Sequence, residues 1–188
     1  MGNHNSKRNS YGAYKLKDNI VYFIGVRTVD VPEVEFIGIV RNLSPPDVTF
    51  HLVNANSVYG PAHLLGVLKI NLECQSRGLA LSQKPEIDLL LRLSFTNQIN
   101  SAFSRSGLKR FNPAIIILYS TDKKKLDRTR NRIMRKLSKV DNSVLTPSEW
   151  RREHLFHLLD GNITRHLIEG DDNFITRYLI ERSALVIK

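Results

Sequence analysis

The chain has 188 residues, 41% of them apolar, which suits a single domain with a core of its own. Lys and Arg total 28 against 18 Asp and Glu, a formal charge of +10. Polyanions are the partner class this favours, because neutralising phosphates releases condensed counterions. Neither a membrane span, a secretory leader nor an intramolecular disulfide framework is expected. The longest apolar run, Ala114 to Tyr119, is of strand length, far below the roughly 20 residues of a span; Met1 to Ser10 is polar; and Cys74 is the single cysteine, which points to a reducing cytoplasm.

In chain order, residues 1–15 lack an apolar period and read as disordered, part of a basic tail over 1–18 ahead of one domain over 19–188. Ile20 to Val26 is a buried first strand. Pro32 starts a short helix with Phe36, Ile39, Val40 and Leu43 on one face. Val48, Phe50 and Leu52 alternate with Thr49 and His51, as in a half-buried strand. Pro61 opens a helix carrying Leu64, Leu65, Leu68 and Leu72, and Gly78 closes it. Ser82 is placed to cap a second helix, with Glu86 in its first turn and Ile87, Leu90 and Leu91 turned to the core. Thr96 is placed to cap a third, with Ile99, Ala102 and Phe103, ended by Gly107. Ala114 to Tyr119 reads as the central strand.

Residues 123–139 read as a basic amphipathic helix with Leu126, Ile133 and Leu137 inward. Nine of these 17 residues are Lys or Arg, and Asp127 is the one acid. Val144-Leu145 reads as a brief strand. Thr146-Pro147-Ser148-Glu149 has the form of a capping box before a helix through about Leu159. Asp160-Gly161-Asn162 is a turn, Asp172 or Asn173 caps a last helix, and Leu185 to Ile187 is a terminal strand. Strands and helices do not alternate strictly, so the expected fold is α+β: a small mixed, mainly antiparallel sheet flanked by helices.

No catalytic constellation is apparent. The ten glycines are scattered and form no phosphate loop, and no nucleophile elbow is present. Cys74 reads as a structural thiol. His154 and His157, with His166 downstream, form the best metal candidate, but no cysteine joins them and Arg151, Arg152 and Arg165 repel a cation. His63 opens a helix and reads as a histidine bonded to backbone or core. Asp171-Asp172 resembles a carboxylate pair, but helix capping explains it more simply. No catalytic residue, metal or cofactor is therefore expected.

The cationic clusters carry more. Lys124, Arg128, Arg132, Arg135 and Lys139 make one stripe along the basic helix, either a solvated face or a phosphate-binding one. Lys69, Arg77, Lys84, Arg92, Arg105, Lys109 and Arg110 surround the middle helices. Phe95 and Phe111 lie nearby, as core residues or as platforms on which unpaired bases stack.

The order and spacing of His63-Leu64-Leu65, Arg77-Gly78, Glu86 to Leu91, Ser94, Gln98-Ile99 and Gly107 resemble the small kinase-binding subunit of the KEOPS complex, the PRPK-binding-protein family. The likeness continues through Ile115 and Ser143-Val144-Leu145 to Glu181 through Leu185. It implies an α+β fold without enzymatic activity that docks on the small atypical kinase/ATPase of KEOPS. Through that kinase it reaches the threonylcarbamoyl transferase and the dimerising subunit, which make N6-threonylcarbamoyladenosine in tRNA. It also implies a grip on the single-stranded CCA end of tRNA, for which Lys69, Arg77, Lys84 and Arg92 are the leading candidates and Arg105, Lys109 and Arg110 the support. The chain departs from the family pattern at Gln83-Lys84, where an Arg-Ser pair is usual, and at Phe95, where a Gly is usual. Phe174, Ile175, Tyr178 and Leu179 of the last helix are the candidate partner contacts. The rival readings are a stand-alone, ribosome- or tRNA-associated RNA-binding protein and an RNA-processing enzyme using His154 and His157.

Overall fold

The computed structural model describes residues 12–159 and 171–186. A four-stranded, wholly antiparallel sheet has the order β1-β2-β4-β3, with β1 at Tyr14–Leu16, β2 at Asn19–Val26, β3 at Thr49–Asn54 and β4 at Ala114–Ser120. Every residue of β4 is buried, as expected of a central strand of β-branched and large apolar side chains. Period-two alternation sends Ile115, Ile117 and Tyr119 to one face and Ala114, Ile116 and Leu118 to the other, so one strand feeds two cores.

The first face is covered by α2 (Pro61–Ser76), α3 (Pro85–Leu93) and α4 (Ile99–Ser106), through Leu64, Val67, Leu68, Leu89, Leu93 and Ala102. The second is covered by α1 (Glu33–Leu43) and α5 (Lys123–Lys136), through Phe36, Val40, Leu126 and Ile133. A third cluster joins Tyr59 to Leu155, Phe156 and Leu159 around α6 (Glu149–Leu158), and to Ile175 and Leu179 of α7 (Asp172–Ala184), which packs on α2. The fold class, the three longer strands and the helices agree with the sequence reading; the short strands and several local assignments do not.

Tyr14–Leu16, inside the stretch read as tail, pairs with β2 through the turn at Lys17-Asp18. In β3 the polar residue points inward: His51 is buried beside Tyr119, whereas Phe50 and Leu52 are half-buried against the second core. A sheet covered on both faces does not sort polar from apolar as a one-sided sheet does. Ser82 does not cap α3. Its hydroxyl accepts from the Lys84 N–H in the preceding turn, and the helix begins with Pro85 at N1, where the missing N–H costs nothing. Thr96 likewise accepts from Gln98 N–H one turn before α4, and Gln98 is the N-cap.

Lys139 lies beyond α5, which stops at Lys136 with Leu137 as its C-cap. Val144-Leu145 belongs to a 3-10 turn, Asn142–Leu145, not a strand. Ser148, not Thr146, caps α6, and Asp171 caps α7 by accepting from Phe174 N–H at 2.7 Å. Leu185 is the C-cap of α7 and Val186 is not in a strand. The Asp160 to Asn162 turn and Ile187 lie outside the described residues. Gly78 closes α2 as expected, with φ of 70°, the left-handed conformation glycine accepts freely.

Candidate nucleic-acid and partner interface

The seven cations around the middle helices do not have a common environment. Lys69 on α2, Lys84 before α3 and Lys109 after α4 are exposed and have no ion pair among the described residues. Arg77 is exposed but pairs with Glu73 at 2.6 Å, and Glu73 also takes Lys17, which hold its carboxyl below the usual range. Arg105 is half-buried, its Nη1 donating to the Ser94 carbonyl at 3.2 Å. Arg110 is exposed, with its guanidinium 4.6 Å from the centre of the Phe111 ring, and Phe111 itself is exposed. An Arg over an open aromatic face is the arrangement on which an unpaired base can stack.

Arg92 does not belong to this surface. It is 2% exposed, and its Nε donates to Asp88 Oδ2 at 2.8 Å while Nη1 donates to the Ser183 carbonyl at 3.3 Å. Asp88, fully buried, also accepts from Asn71 Nδ2 at 2.7 Å and from the Leu81 N–H at 2.6 Å. The network ties α2, α3 and α7 together. The charge that looked available to phosphate is consumed by a carboxylate one turn away.

The partner contacts expected on the last helix are also corrected. Ile175 and Leu179 are fully buried in the third cluster, and Tyr178 is half-buried against Phe156, ring centres 5.9 Å apart. Phe174 is the one member of that set left exposed. Exposed apolar side chains lie elsewhere: Ile99 and Phe103, one turn apart on α4, and Trp150 on α6, which stacks on His154 at 5.1 Å. Both helices pack on the 3-10 turn Ala55–Ser57. Burial, then the charges of His157 and Lys109, hold His154 below its ordinary pKa. Beside the turn after α3 lies an open concavity of about 340 Å³, bounded by Phe95, Thr96, Asn97, Arg182, Leu185 and Val186. The sequence signal that could have found Ile99 and Phe103 is their i, i+4 spacing on a helix whose buried residues are Ala102 and Ser106.

The sequence model of the family described as "Kinase binding protein CGI-121" matches residues 37–162, well over half of the chain. This chain belongs to the CGI-121 family of kinase-binding proteins. No curated protein matches it. The matched stretch of this CGI-121 member takes in all of β3, β4 and α2 to α6, hence the central strand, the helical layer with Lys69, Lys84 and Lys109, and the exposed Ile99, Phe103 and Trp150. α7 lies outside it.

His51 and His63 of this CGI-121 member have structural settings. His63 is fully buried, its Nδ1 accepting from the Tyr59 N–H at 3.2 Å, and burial pushes its pKa down to about 3. His51 Nε2 lies 3.0 Å from Tyr119 Oη, and burial lowers its pKa to about 4. His154 and His157 have no third ligand: among the described residues no three His, Cys, Asp or Glu side chains converge as a metal site would require. His166 lies outside the described residues. Cys74 is a half-buried free thiol on α2. Among the described residues no helix is long and apolar enough to cross a membrane.

Proposed function

We propose that this protein is the non-catalytic, cytoplasmic subunit of a KEOPS complex that binds the complex's small atypical kinase/ATPase and the 3′ CCA end of tRNA, supporting N6-threonylcarbamoyladenosine modification. Membership of a kinase-binding family carries the protein half of this reading. The observation that carries the RNA half is the set of exposed cations Lys69, Lys84 and Lys109, which have no ion pair among the described residues, together with the exposed Arg110–Phe111 platform that follows α4. Cations track a backbone and an aromatic face takes a base. Phe103 and Ile99 are the apolar anchors for the kinase, since interface energy concentrates in a few aromatic and aliphatic side chains that bury fully.

The mechanism is one of effective concentration. A subunit that holds both the kinase and the RNA end raises the local density of tRNA at the transferase without touching the reacting atoms. The test is affinity purification of the chain from its own host, with a small kinase and a threonylcarbamoyl transferase expected to accompany it. Alongside this, tRNA with its CCA end should bind more tightly than the same tRNA trimmed of it. Recovery of the chain alone, with equal affinity for both RNAs, favours the rival reading of a stand-alone basic RNA-binding protein.

A further inference from the structure

The exposed arc of α5 is the strongest charged feature that the reading above leaves without a role. Lys124, Arg128, Arg132 and Arg135 all face solvent, and none has an acid partner among the described residues. The acids near this helix are spoken for. Asp127 pairs with Lys123 at 2.5 Å and accepts from Tyr22 Oη at 2.7 Å, Asp47 pairs with Lys125, and Asp30 takes Lys139 at 2.9 Å. Leu126, Thr129 and Ile133 are buried on the opposite side, so the helix is oriented and held by its core face. At about 1.5 Å rise per residue the four cations span about 16 Å in steps of about 6 Å or less. Like charges at this spacing repel, at a few tenths of a kcal/mol per pair, and a polyanion laid along the arc removes that cost.

We propose that this face of α5 binds the sugar-phosphate backbone of a paired RNA stem, a second RNA contact separate from the one that holds the 3′ end. Two observations choose this ligand. Among the described residues of the arc none is an exposed aromatic ring, and Tyr22, the ring that Arg130 of α5 contacts, is buried, unlike the exposed Phe111 beside Arg110. Without a stacking platform the face cannot hold unpaired bases, but it can grip phosphates of a helix whose bases stack among themselves. Nor does the arc bring an exposed apolar residue to the surface, which a helix lying in an anionic membrane requires. α5 covers the sheet face opposite α2 and α3, so the sheet lies between the arc and the helices that carry Lys69 and follow Lys84.

The choice of RNA as polyanion rests on the tRNA reading above, and the experiment separates the two. Binding of the full chain to a blunt RNA hairpin with no single-stranded end is measured over a range of salt, for the native protein and for Arg128→Glu/Arg132→Glu. The variant should bind about tenfold or more weakly, with a salt slope shallower by about one to two units. Lys84→Glu should leave hairpin binding unchanged while weakening binding to tRNA carrying its CCA end. Arg128→Gln/Arg132→Gln, which removes charge without reversing it, should give an intermediate loss at an unchanged melting temperature. The proposal is overturned if hairpin affinity is unaffected, if the charge-matched control Lys15→Glu/Arg177→Glu weakens it equally, or if the stripe variant loses only binding to phosphatidylserine vesicles. Loss of CCA discrimination with stripe-dependent hairpin binding intact would sink the 3′-end reading and support this one.

Discussion

Arg92 and Asp88 lie one helical turn apart on α3, 2.8 Å from Nε to carboxylate oxygen, with both side chains out of water. Nearly all of the attraction between them is needed to offset their desolvation, so each stabilises the fold only while the other is present. The Arg92→Glu variant should therefore lose about 3–5 kcal/mol of stability, and Asp88→Ala a similar amount. Urea denaturation measures this. Any accompanying loss of RNA binding should vanish once affinity is expressed per folded molecule, and persistent loss at full folding would return Arg92 to the RNA surface.

Stability should fall on mild acidification. His51 and His63 are neutral in the fold, with pKa values of about 4 and about 3 against 6.5 when exposed. Below pH 6.5 the unfolded chain takes up protons that the folded chain refuses, so stability is complete above that pH and is lost as pH falls toward 4. Each histidine contributes a slope of about 1.4 kcal/mol per pH unit in that window. Chemical denaturation at pH 7, 6 and 5 should show the trend, and His51→Gln should remove about one proton's worth of slope. A flat profile between pH 7 and 5 would contradict the buried, neutral state of both rings.

Gly25 holds the Asn142–Leu145 turn against β2. A Cβ there would sit 2.4 Å from the Asp141 carbonyl oxygen and 2.5 Å from Val144 Cγ2. The glycine also donates to Asn142 Oδ1 at 2.8 Å and accepts from the Asp141 N–H at 2.9 Å. Gly25→Ala should cost about 1–3 kcal/mol through forced displacement, and Val144→Ala should not rescue it, because the closer clash is with backbone. Thermal melts of the single and double variants decide.

On the kinase side, Phe103→Glu with Ile99→Glu should abolish co-purification of the kinase while leaving the melting temperature and RNA affinity near native, since both side chains are about half exposed in the chain alone. Changing Ile175 or Leu179 should instead unfold the α6–α7 region. Retention of the kinase by the Phe103/Ile99 variant would move the interface elsewhere.

Local chemistry was legible wherever it acts at short range. Pro61 and Gly78 delimit α2, the β-branched run at Ile115 to Ile117 makes the central strand, and Leu126 and Ile133 set the inward face of α5. Caps were less legible. Ser82, Thr96 and Thr146 are good cap residues by type, yet the helices begin two to three residues later, after proline or glutamine took the boundary or a nearer serine took the cap.

Composition, charge and hydrophobic period were enough to determine an α+β domain with a central apolar strand and a cationic helix, because each depends on residues a turn or two apart. Which charges remain on the surface was decided only by tertiary packing. Lys84 and Arg92 look alike as cations in a sequence, but the Ser183 carbonyl that helps bury Arg92 comes from a helix 91 residues away. Ile175 and Leu179 are likewise core only because α7 docks on α2. Burial is a property of the assembled layers, and no window of neighbouring residues contains the partner that confers it.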